Sequence, residues 1–158
     1  MTLAIIGCGN PNRSDDGVGP EIINRLRDEE LPSEINLFDA GTDGMGVMYQ
    51  ARGASHLIIL DARAPEKEPG AIYEVPGDLL EATPPNSFNL HDFRWDHALY
   101  AGRRIYGEEF PEHVKVLLIE AESLDMGIGL TAAVATAADK AAERVRGLAQ
   151  EFADGVWA

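Results

Sequence analysis

Short apolar runs alternate along this chain with stretches whose apolar residues recur every three or four positions. The runs are Leu3 to Ile6, Ile35 to Phe38, His56 to Leu60, Ala71 to Val75 and Val114 to Ile119. Short, largely apolar runs of this kind fit strands buried on both faces. The periodic stretches predict helices. The first starts near Pro20, whose fixed φ suits an opening turn, and puts Ile22, Ile23 and Leu26 on one face. A short helix covers Met45 to Ala51, and another runs from about Arg94 or Asp96 to Tyr106. The last runs from about Thr131 to Phe152, with Val134, Ala137, Ala141, Val145, Leu148 and Phe152 at helical spacing. Asp78 to Leu90, containing Pro84-Pro85-Asn86, reads as loop. Strands alternating with helices predict the α/β class: three layers, α/β/α, around a mainly parallel, twisted sheet of about five strands. No repeat, low-complexity tract or linker breaks the pattern, so residues 1–158 are read as a single domain.

Composition narrows the function classes. Hydrophobic residues make up 45% of the 158, enough for a core, and the formal net charge is −14. A chain this acidic is repelled by phosphate backbones, which argues against a nucleic-acid partner and leaves room for a basic segment of a protein partner. The single cysteine, Cys8, makes no intramolecular disulfide and suits a reducing compartment. The N-terminus lacks the basic start and long apolar stretch of a signal peptide, and no apolar run approaches the roughly 20 residues of a membrane span. The expectation is a cytoplasmic protein with no membrane partner.

The candidate chemistry sits where strands end. In open α/β sheets, ligands bind beyond the carboxyl ends of the strands. Three polar turns fall there: Asn10 to Asp16, Asp39 to Gly44, and the turn beginning at Asp61. Carboxylates gathered at one sheet edge repel one another unless a cation or proton holds them. Asp16 and Asp61 with one histidine would make an open donor set for nickel, zinc or another divalent metal. His91, in the loop leading into a helix, is the better placed histidine, and His97 is the alternative. His56 and His113 flank strands and read as structural. Each residue also has a plainer reading, Asp16 as a helix cap and Asp61 as a turn residue. Two rival sites exist. Cys8 with His91 as its base would form a nucleophilic pair, although a thiol in a glycine turn is more often a small packed residue. Gly7-Cys8-Gly9 opens like a dinucleotide-binding turn, which would imply a nucleotide-binding oxidoreductase, but Asn12 stands where the third glycine belongs.

The segment Gly7-Cys8-Gly9-Asn10, followed by Asp15-Asp16-Gly17-Val18-Gly19, resembles the N-terminal signature of the hydrogenase maturation proteases. Asp39-Ala40-Gly41-Thr42-Asp43-Gly44 is similar to that family's Gly-Thr-x-Gly turn, Leu60-Asp61-Ala62 to its strand-ending Asp, and Gly127 to Leu130 to its Gly-x-Gly-Leu. His91 matches the family's metal-binding histidine by order and spacing. The resemblance covers nearly the whole chain. It implies an endopeptidase that removes the C-terminal extension of an immature nickel–iron hydrogenase large subunit. Asp16, Asp61 and His91 would be both metal-reading and catalytic residues, and nickel would arrive with the substrate as a licence to cut. Asn10, Gly41 and Thr42 would position the substrate. A non-catalytic, nickel-dependent chaperone of the same precursor is the other reading of such a site.

Overall fold

The computed structural model describes residues 1–86, 89 and 92–157. Five strands form one sheet: β1 (Leu3–Cys8), β2 (Ile35–Gly41), β3 (His56–Arg63), β4 (Ile72–Pro76) and β5 (His113–Glu120). Their spatial order is β2-β1-β3-β5-β4. β1 runs parallel to β2 and β3, and β3 parallel to β5, while β4 lies antiparallel on β5 at the edge. The chain moves from β1 to one side and then crosses back to the other. The point of reversal, where a crevice opens in such sheets, lies between β1 and β3.

The helices are α1 (Val18–Arg27), α2 (Gly44–Ala51), α3 (Trp95–Tyr106) and α4 (Ala132–Ala153). Side chains alternate across a strand, and this sorts the core into two halves. Leu3 and Ile5 of β1, with Ile58 and Leu60 of β3, pack toward α1 and α4. Ala4, Ile6 and Cys8, with Leu57 and Ile59, pack toward α2 and α3. Because both faces are covered, the central strands β1, β3 and β5 read as apolar runs, whereas the edge strands β2 and β4 are only partly buried. Asp61 is next in the series Leu57, Ile59, so its side chain leaves the sheet on the α3 side.

The strands run past the ends of the apolar runs. β1 continues to Cys8, β2 to Gly41 and β3 to Arg63. The reason is that ladder pairing uses backbone groups and tolerates polar side chains. Asp61, Ala62 and Arg63 pair with Leu118, Ile119 and Glu120 of β5. Asp61 is therefore held inside a strand, not in a turn after it. The expected helices all form, within one or two residues of their anticipated bounds. Pro20 is the third residue of α1, in the first turn, where its missing N–H costs no helical bond.

Candidate active site

The first glycine turn is shaped by a close approach of backbone to backbone. Gly9 has φ +133°, and a Cβ there would stand 1.8 Å from the carbonyl oxygen of Asp16, so any side chain would force the loop open. The Gly9 N–H donates to the Gly41 carbonyl at 2.8 Å, which ties the first turn to the end of β2. The Asn10 N–H donates to Asp16 Oδ2 at 2.8 Å and turns that carboxylate back over the loop. Asp16 lies in a 3-10 turn before α1 and makes no side-chain cap; the N-cap of α1 is Gly17. Asp16 Oδ1 carries no hydrogen bond among the described residues.

The neighbouring acid does different work. Asp15 is fully buried and points the other way. Its carboxylate accepts hydrogen bonds from the N–H groups of Glu122, Ser123 and Thr131 at 2.9, 3.1 and 2.7 Å, and from the Thr131 hydroxyl. With Ser14, whose hydroxyl donates to the Asp125 carbonyl, it pins the loop ahead of α4 to the first motif.

Asp61 is 5% exposed. Oδ1 accepts from the Ala62 N–H and Oδ2 from the Trp95 indole N–H, both at 2.8 Å. An Arg94 nitrogen lies 3.7 Å from Oδ2. Burial pushes the carboxyl up to about 7, and the nearby Asp16 charge pushes the same way, while the two hydrogen bonds and Arg94 hold it down. A buried carboxylate so short of positive charge is what a cation would relieve.

Asp16 and Asp61 line one cleft of about 250 Å³, together with Cys8, Asn10, Gly41 and Thr42 from the first two motifs and Arg13, Asp43, Arg94 and Trp95 around them. Among the described residues no three His, Cys, Asp or Glu side chains group as a metal site; Asp16 and Asp61 offer the cleft oxygen donors of the kind a hard or borderline divalent cation takes. Asn10 borders the cleft, its side-chain oxygen accepting from the Asn12 N–H at 2.9 Å. His91 lies outside the described residues. His97 does not line the cleft; its Nδ1 accepts from the Arg94 N–H at 3.0 Å. His56 and His113 pair across β3 and β5 at the opposite end of the sheet, their rings stacked at 4.6 Å. Cys8 is buried, and burial together with Asp61 and Asp39 raises its thiol well above the ordinary range, so it stays protonated and is a poor nucleophile.

The sequence profile of the family described as hydrogenase maturation protease matches residues 20–147. The chain belongs to the hydrogenase maturation protease family. It is 30% identical over 147 residues to the hydrogenase 2 maturation protease of Escherichia coli, covering 92% of this chain and 88% of that one. The hydrogenase maturating endopeptidase HybD from E. coli superposes with a TM-score of 0.81 at 30% identity, covering 98% of this chain and 94% of its own. The NiFe hydrogenase maturation protease HybD from Thermococcus kodakarensis, at 22% identity and a TM-score of 0.73 over 94% of this chain and 99% of its own, shares the fold. Membership of a protease family displaces the oxidoreductase and chaperone alternatives.

Arg94 and Trp95 were not legible as cleft residues, while Arg13 and Asp43 fall within the strand-end turns the sequence marks without a role assigned to them. Asp43 also caps α2, accepting from the Gly46 N–H at 3.0 Å. Nothing in the order Arg94-Trp95 marks a partner for Asp61, 34 residues earlier for the tryptophan. An aromatic opening a helix reads equally well as core.

Proposed function

We propose that this maturation protease removes the C-terminal extension of an immature nickel–iron hydrogenase large subunit after nickel insertion, reading the metal through Asp16, Asp61 and His91. The observation that carries the reading is Asp61, a buried carboxylate at the sheet's switch point that faces a cleft shared with Asp16. Nickel is the substrate's own ion, and another divalent cation is expected to take the same donors in its absence. His91 enters by its place in the order of motifs. Gly41 and Thr42 border the cleft and would guide the precursor's extension past the metal. A metal shared by two proteins fixes the scissile bond beside the site, which supplies proximity. It also couples recognition to coordination, because three protein donors hold a divalent ion weakly until the substrate completes its shell. The single cysteine accords with a reaction in the reducing cytoplasm.

The test is cleavage of a purified large-subunit precursor, nickel-loaded or nickel-free, followed by the mass of the released C-terminal peptide. Asp16→Asn, Asp61→Asn and His91→Ala should each abolish release while the far-ultraviolet circular dichroism stays unchanged. His97→Ala should be far milder. Equal cleavage of the nickel-free precursor would refute the licensing role.

A further inference from the structure

We propose that Arg94 is the resting counter-ion of the cleft and that Trp95 holds the Asp61 carboxylate in register, so that an incoming divalent cation displaces the arginine and leaves the indole in place. The inference rests on the reading of Asp61 as a metal-facing residue and goes beyond it by assigning its two neighbours opposite effects on cation binding.

The two contacts to Asp61 Oδ2 differ in kind. Trp95 is buried and donates a short, directional hydrogen bond of 2.8 Å. An indole has one donor and no acceptor, so it neither ligates a metal nor titrates. With Ala62 N–H on Oδ1 and the indole on Oδ2, the plane of the carboxylate is fixed from both sides. Groups that orient a ligand in this way typically govern metal affinity by about 10- to 100-fold.

Arg94 is held loosely. Its side chain is 62% exposed, and its nearest nitrogen lies 3.7 Å from Oδ2, a Coulombic contact beyond good hydrogen-bond length. A guanidinium does not lose its proton, so it cannot make way for a dication by becoming neutral. It must move, and an exposed side chain moves into water at small cost. Its backbone N–H is committed to His97 Nδ1, so the start of α3 stays in place when the side chain swings away. A displaced Arg94 at the cleft rim then presents free donors to carbonyl or carboxylate groups of the precursor.

The experiment uses Zn²⁺ as the probe, with titration calorimetry and the indole ¹H–¹⁵N resonances of the intact protein. Trp157 is an internal control: it packs on His56 and Lys115 at the opposite end of the sheet. Zn²⁺ should shift the Trp95 indole signal and leave that of Trp157 unmoved. Arg94→Gln, which keeps a polar side chain and removes the charge, should tighten Zn²⁺ binding about 3- to 10-fold, and the gain should shrink in 1 M salt as screening rises. Arg94→Lys should restore weaker, wild-type-like binding. Trp95→Phe should weaken binding at least about 10-fold. Arg94→Gln binding no more tightly than wild type, or Trp95→Phe binding as well as wild type, would overturn the proposal. Asp61→Asn separates the two readings. If it binds Zn²⁺ as well as wild type, or if Zn²⁺ at millimolar concentration moves the Trp95 signal in neither wild type nor Arg94→Gln, the metal reading of Asp61 itself fails.

Discussion

Adjacent acids in one motif serve opposite ends. Asp15 satisfies three backbone N–H groups and a hydroxyl inside the protein, whereas Asp16 turns toward the cleft with one oxygen unbonded among the described residues. Removing Asp15 leaves buried donors without an acceptor, which is the expensive way to break a hydrogen bond. Asp15→Ala should lower stability in urea unfolding by on the order of 3 kcal/mol, and Asp16→Asn by less than about 1 kcal/mol; equal losses would refute the division of roles. Asp61 lends itself to a test by pH. Its carboxyl is raised from 3.8 to about 7 in the folded protein, so the fold favours the protonated acid. In the metal-free protein its contribution turns increasingly unfavourable as pH climbs from the unfolded value toward the folded one, and levels off above about 7. Asp61→Asn does not titrate. Its stability relative to wild type should therefore improve by roughly 2–3 kcal/mol between about pH 5 and about pH 8, as chemical unfolding would measure. A difference that stays flat with pH would show that Asp61 is not held in that state.

At the scale of elements, the cleft depends on how closely α2 approaches the segment leading into α3. Gly44 opens α2, and a Cβ there would stand 2.1 Å from the Phe93 carbonyl oxygen and 2.9 Å from the Arg94 carbonyl carbon. Gly44→Ala should push that segment outward and move Trp95 away from Asp61. The expected result is Zn²⁺ affinity lowered by several-fold along with a shifted Trp95 indole resonance. Unchanged affinity and an unmoved resonance would show that the approach is incidental. The strand ends carry a related lesson. Polar residues at the ends of the apolar runs look like turns, yet the ladder between β3 and β5 extends through Asp61 to Arg63. A cleft carboxylate mounted on a paired strand is better fixed than one in a loop, since the ladder to β5 continues past it to Arg63.

For the whole molecule, 27 acidic residues face 13 lysines and arginines. The ion pairs at the surface, such as Arg144 with Glu74 and Arg25 with Glu21, are partly exposed and individually weak. Net self-repulsion therefore outweighs them in the salt response. The Tm should rise by a few degrees between about 20 mM and about 0.5 M sodium chloride, where screening shortens to a few ångströms. A falling Tm in a calorimetric scan would mean that the ion pairs dominate.

The sequence by itself determined the architecture. Apolar runs of strand length, set between helical repeats, leave few alternatives to a covered, mainly parallel sheet, because the central runs must be buried on both faces. It also determined that Asp16 and Asp61 belong to one edge, since each stands at or beyond the carboxyl end of an apolar run of such a sheet, and it marked the glycine turns that the family shares. Tertiary structure alone decided the rest. The resemblance already singled out Asp16, but the reason Asp15 turns away is tertiary: the loop before α4, more than a hundred residues along, comes back to claim it. That Trp95 and Arg94 attend Asp61 depends on α3 packing over β3, a contact without any local signature. A hydrogen bond between distant residues is fixed by where elements pack, and periodicity records which face of an element is buried without recording what lies against it.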